Sequence, residues 1–156
     1  MTEPRQIAVK VYGRPAPKGS LRVVGRGPNR NVIEDNPDTE AWRALVARAG
    51  RAWYRAGLLD APIVDPVALF VTVTLERPTT VSQRSRPWPH KRSPGHGDAD
   101  KLARTILDGL QDAKVYADDA QVVELTIVKA YPDTPGVRDR LDRPGAWIRL
   151  LTIAAP

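Results

Sequence analysis

The sequence predicts an α+β fold: a single mixed β-sheet with two helices packed on it, in the order roughly β(β)αβαββ. Three observations predict it. β-Branched or alternating runs recur at Ile7–Gly13, Val67–Glu76, Ala120–Tyr131 and Ala146–Ala154. Two other stretches place their apolar residues at helical spacing instead. Strands and helices are interspersed, so one sheet with helices on it accommodates them all. At 156 residues the chain has room for one self-supporting core, and residues 1–156 read as a single domain.

Each element has its own signal. "IAVKVYG" (Ile7–Gly13) alternates with period two. "RPAPKGSLRVVGRGPNRN" is rich in Pro, Gly and Arg and reads as a loop with a short strand at Leu21–Val24. The first helix carries Trp42, Leu45, Val46, Ala49, Trp53 and Ala56 on one face. Asn36 is placed to cap it, Pro37 suits its first position, and Gly57 is placed to end it. Val67–Glu76 is a strand. Arg77–Gly97 has four prolines and no periodicity, which makes it a long basic loop. A second helix runs from about Ala99 to Gln111 and buries Leu102, Ala103, Ile106 and Leu110. "YADD" is a turn, Ala120–Tyr131 a strand, "PDTPGVRDRLDRPG" a charged loop and "AWIRLLTIA" the last strand.

Charge narrows the function classes. The net charge is +6 and the pI about 10.0, which suits a polyanionic partner. From Pro4 to Ile33 there are seven Lys or Arg and no acid; Arg77–Gly97 holds five more, both histidines and again no acid. There is no cysteine, which excludes disulfides, thiolate catalysis and cysteine zinc sites. No apolar run approaches the ~20 residues of a membrane span, and the N-terminus lacks the pattern of a signal peptide. The expected location is cytoplasmic, with no membrane partner.

Against this background stand two tight acidic pairs: Asp98 with Asp100 at the start of the second helix, and Asp118–Asp119 before the next strand. If folding brings them together, they need a cation. Oxygen-only ligands fit a hard ion, Mg²⁺ or Mn²⁺, which suits phosphodiester hydrolysis. Arg104, one turn after Asp100, is placed to add electrostatic stabilisation. Each acid also has an ordinary reading. Asp98 can be a helix cap, Asp100 can serve the helix dipole and pair with Arg104, and Asp118–Asp119 can be a plain turn.

The segment "GDADKLARTILDGLQDAKVYADDAQVVELTIVKAY" resembles the core of the RusA-type Holliday junction resolvases, a family of crossover junction endodeoxyribonucleases. Asp98, Asp100, Lys101, Leu102, Asp108, Leu110, Asp118, Asp119, Gln121, Val122, Val123 and Lys129 match its pattern, and "GRPAPKGSLR" resembles its opening strand and loop. The resemblance implies a homodimeric, Mg²⁺- or Mn²⁺-dependent endonuclease of DNA recombination and repair, which resolves four-way junctions by paired nicks. It implies a bacterial or phage-infected host cell and association with the nucleoid. It makes Asp98, Asp100 and Asp119 the catalytic metal-binding acids. A family lysine falls at Arg104, where a wide guanidinium fork replaces a compact ammonium; Lys101 is placed to share that role. The cations expected to meet junction DNA are Lys18, Arg22, Arg84, Arg86, Lys91, Arg92, Lys101 and Lys129, with Trp88 either stacking on a base or anchoring the loop. The 77–97 loop is expected to be mobile until it binds.

Two other classes fit the charge. A DNA-binding protein without activity would use the same basic surfaces but has no need of three acids near DNA. A phosphohydrolase acting on a small substrate would not need two basic segments or a dimer.

Overall fold

The computed structural model describes residues 4–19, 21–34, 36–91 and 96–153. The chain forms β1 (Gln6–Tyr12), β2 (Leu21–Val24), β3 (Asn31–Glu34), α1 (Asp38–Arg55), β4 (Val67–Thr74), α2 (Ala99–Asp112), β5 (Val122–Ala130) and β6 (Gly145–Thr152). The predicted α+β architecture is what is observed: β1, β6, β4 and β5 form one mixed four-stranded sheet in that order, and β2 and β3 form a separate hairpin.

β4 is central because its sequence can be buried on both faces, and all its residues except Phe70 are buried. It pairs antiparallel with β6 and parallel with β5. A parallel pair needs a crossover, and here the basic segment and α2 supply it. β5 is an edge strand and largely exposed. Both helices contribute to one core, in which Trp42, Val46 and Trp53 of α1 join Leu102, Ile106 and Leu110 of α2 over Leu69, Val71, Ile148 and Leu150 of the sheet. Two glycines let the helices approach closely. A Cβ on Gly109 would lie 2.8 Å from Val46 Cβ, and one on Gly50 would lie 2.8 Å from Ala113 Cβ.

Element ends shift by up to two residues, and three differences from the sequence expectation have a local cause. The Arg-rich N-terminal loop contains a second strand, β3, because Gly25 and Gly27 take positive φ (97° and 62°) and turn the chain back on β2. Pro37 has helical dihedrals, but the helix proper starts at Asp38, whose N–H donates to Asn36 Oδ1 at 3.0 Å. β4 ends at Thr74, although Leu75 N–H still donates to the Ala130 carbonyl.

The basic segment is tied down over its described part rather than free. Arg77 forks onto the Asp133 carboxylate (2.6 Å from Nη2), donates to the Arg86 carbonyl and stacks over Tyr131 at 4.0 Å. Its guanidinium holds the Asp133 carboxyl below the usual carboxylate range. Gln83 donates to the Asp133 carbonyl and Thr134 to that of Pro87. Arg92 lies outside the described residues. No helix among the described residues is long and apolar enough to cross a membrane.

Candidate nuclease site at the entrance of α2

Three segments meet where α2 begins. The first is the Pro-rich loop after β1. The Lys18 N–H donates to the Lys101 carbonyl at 3.0 Å, and Asn36 Nδ2 and Thr39 Oγ1 both donate to the Pro17 carbonyl. Gly97, at φ +65°, backs directly onto Pro17; a Cβ there would sit 2.4 Å from the proline ring. The second is the end of the basic segment, which brings His90 and Lys91. The third is the end of β5, where Lys129 Nζ donates to the Gly97 carbonyl at 3.3 Å.

Between them lies a cavity of about 380 Å³, lined by Lys18, Lys91, Lys101 and Lys129 around one carboxylate, that of Asp98. Four lysines lining a hollow beside a helix N-terminus make it attractive to anions. Asp98 is the N-cap residue of α2, yet its side chain makes no capping hydrogen bond. Asp100 is exposed in the first turn, and it makes no ion pair with Arg104, which is also exposed. Neither the capping role for Asp98 nor the Arg104 pair for Asp100 is therefore present, while Asp100 keeps its favourable place in the first turn of the helix. Two exposed carboxylates without a hydrogen-bonded or ion-paired partner across the turn suit a hard divalent cation, which is usually held by one or two carboxylates, water and substrate phosphate.

Asp119 lies elsewhere. Its N–H donates to Gln111 Oε1 at 3.3 Å, in the last turn of α2. The nearby Tyr116 hydroxyl donates to the Leu107 carbonyl. Burial first, then Asp119 and Asp108, push the Tyr116 phenol far above its ordinary pKa. Asp119 is thus tied to the exit of α2, a 14-residue helix whose other end carries Asp98 and Asp100. Among the described residues no group of three or more acids or histidines is gathered closely enough to hold a metal. Within the second pair, Asp118 is occupied by the fold. Its carboxylate accepts the Ala120 N–H at 2.8 Å, and the Gln121 amide oxygen accepts the Asp118 N–H, which completes a capping box on a short 3₁₀ turn.

The family model of endodeoxyribonuclease RusA matches residues 13–141. The chain belongs to the RusA endodeoxyribonuclease family. No curated protein sequence matches it. The RusA match spans the Pro-Lys loop, the hairpin, both helices, the basic segment and both acidic pairs, so every wall of the cavity falls within it.

The structure distributes the other expected residues unevenly. Lys91, Lys101 and Lys129 line the cavity; Arg84 is exposed away from its lining and Arg86 is half-buried. Lys18 is in the lining, but its ammonium already pairs with Asp108 at 2.9 Å. Trp88, 42% exposed, lies with Phe70 and Val137 in a cleft on the opposite face of the sheet, so it anchors the segment there rather than facing the acids. Sequence reading missed His96. It is buried, its Nε2 donates to the Glu76 carbonyl at 2.8 Å, and its ring lies 5.9 Å from that of Tyr131. Only the spacing to Gly97 and Asp98 marked it.

Proposed function

We propose that the protein is a divalent-metal-dependent, structure-selective endonuclease that resolves four-way DNA junctions as a homodimer, by paired phosphodiester hydrolysis. The observation that carries this reading is the lysine-lined cavity against Asp98, with Asp100 exposed in the first turn of α2, in a chain of the RusA family. Asp98 and Asp100 would hold Mg²⁺ or Mn²⁺. When bound, the ion supplies a Lewis acid and acidifies water at neutral pH. Lys91 and Lys101 hold the DNA backbone over the acids. Lys129 fixes the Gly97 carbonyl and so the direction in which the chain enters α2. Arg104, exposed one turn from Asp100, stabilises charge that develops on the scissile phosphate.

The third acid is reached through symmetry. Lys129 places Asp98 beside the C-terminal end of β5, whereas Asp119 precedes its N-terminal end. The outer edge of β5 pairs with no strand among the described residues, and Val123 and Leu125 stand 63% and 42% exposed along it. Two copies paired antiparallel along β5 would set Asp119 of the partner subunit beside Asp98. They would cover both apolar side chains and join the sheets into one. Two sites then arise from one two-fold axis, as paired nicks require.

The test uses a synthetic four-way junction, with and without Mg²⁺. Asp98→Asn and Asp119→Asn should each be inactive alone. Mixed and re-equilibrated, they should regain single nicks, because the heterodimer has one site with both acids intact. Nicking by neither variant nor mixture, with normal wild-type cleavage, would confine each site to one chain. Junction binding by the wild type with no cleavage in any divalent ion would leave a DNA-binding protein.

A further inference from the structure

The β2–β3 hairpin has no role in the site just described, and its composition is unusual. Residues 22–33 are all exposed, and among the described residues the two strands pair only with each other. An isolated two-stranded hairpin is marginal in water, so it gains by docking on something. One face carries Arg22, Val24, Asn31 and Ile33; the other carries Val23 opposite Val32, exposed by 59% and 61%. The turn adds Arg26 and Arg30, and no acid occurs between Arg14 and Ile33.

We propose that this hairpin is a second DNA-binding element, which lies in the major groove of one duplex arm of the substrate while the α2 entrance holds the strand to be cut. The proposal rests on the nuclease reading above. Charge identifies the occupant. Residues 22–33 carry three arginines and no acid, and with Glu34 at the end of β3 the ribbon is still net cationic, so it repels an identical ribbon across a two-fold axis and attracts a phosphate-lined groove. Shape agrees, since the major groove of B-DNA is about 12 Å wide and admits a two-stranded ribbon. Within it, Arg26 and Arg30 at the turn reach the phosphates. Asn31 presents an amide to base edges, and the valines meet sugars and thymine methyls.

Two experiments test this. In the first, Arg26→Ala and Arg30→Ala are combined with Val23→Ser and Val32→Ser. Junction affinity is measured across a salt series, with nicking at saturating protein and the mass by sedimentation. The expected result is at least a tenfold loss of affinity at moderate salt, a log–log salt slope shallower by about 1.8 for two lost phosphate contacts, and an unchanged saturated nicking rate and mass. The second exploits the absence of cysteine. Arg26→Cys carries a tethered iron chelate, whose hydroxyl radicals should cut one arm several base pairs from the nick. Unchanged affinity and slope with no chelate cutting would overturn the arm and leave the nuclease intact. A fall in mass would overturn it in favour of a contact between copies. Wild-type protein that neither binds nor cuts a junction would overturn both readings together.

Discussion

At the entrance of α2 the carboxylates of Asp98 and Asp100 cap nothing and pair with nothing across the turn, whereas at its exit the Asp118 carboxylate closes a capping box and only Asp119 is left over. In sequence the two pairs look alike. The difference teaches that an acid is informative when the fold has no use for it. A capping acid stabilises by about 1 kcal/mol and explains itself. An exposed, uncapping Asp98 beside four lysines, with Asp100 in the first turn of the helix, invites a cation and a phosphate.

The sharpest way to break this contrast is to remove charge at each acid in turn. Asp98→Asn, Asp100→Asn and Asp119→Asn should each slow junction cleavage by roughly a thousandfold, the scale of losing several kcal/mol of charge stabilisation. Their urea midpoints should barely move, since the fold does not lean on these carboxylates. A variant that unfolds easily would mean that its acid is structural after all. Junction affinity should hold or rise, because like-charge repulsion of the backbone falls.

Next in size is Arg104→Ala, which should slow single-turnover cleavage about ten- to a hundredfold with little change in affinity, while Arg104→Lys retains most activity. Weakened binding at an unchanged rate would make Arg104 a docking residue. Asp118→Ala should show the opposite profile to Asp119→Asn. It should lose about 1 kcal/mol of stability from the broken cap, or about 2–4 °C in Tm, with milder loss of activity. If Asp118→Ala is the more damaging to cleavage at equal stability, the two members of the exit pair must be exchanged.

The smallest effect tests the wall behind the entrance. Burial, reinforced by Lys129, Arg14 and Arg86, lowers the His96 pKa against the opposing hydrogen bond to Glu76. The folded ring stays neutral where the unfolded chain already takes up a proton, below about pH 6.5. His96 therefore leaves stability intact above that value and erodes it as pH falls towards the depressed folded value. Urea midpoints in chelator between about pH 7 and pH 5 should drop less for His96→Gln, which can still donate to the Glu76 carbonyl. Equal slopes for the two proteins would show that His96 does not titrate with unfolding.

Much of this was legible in the residues. β4 announced itself as a buried β-branched run, and Trp42, Val46 and Trp53 fixed the inner face of α1 by spacing alone. The entrance pair was visible because a D-x-D follows a segment without acids. β3 was not visible, since only two of its four residues are β-branched, Asn31 and Glu34 bound it, and its preceding neighbours are Pro, Gly and Arg. Nor was the distance between the acid pairs. Whether Asp119 returns to Asp98 depends on β5 running parallel to β4, a long-range pairing that no local spacing encodes. The tether of Arg77 to Asp133 is equally non-local, and it joins the described start of the basic segment to the loop after β5.

The strand order also governs when this protein can exist during its own synthesis. β6 separates β1 from β4, so Ile7 and Val11 have no neighbouring strand until residues 145–152 have been made. At about 5–20 residues per second the first strand waits on the order of ten seconds, with an apolar edge open to other chains. Pairings this distant in sequence also form slowly once the chain is complete. The yield of active protein should therefore be limited by how fast the C-terminal strand slots in, more than by the stability of the finished sheet.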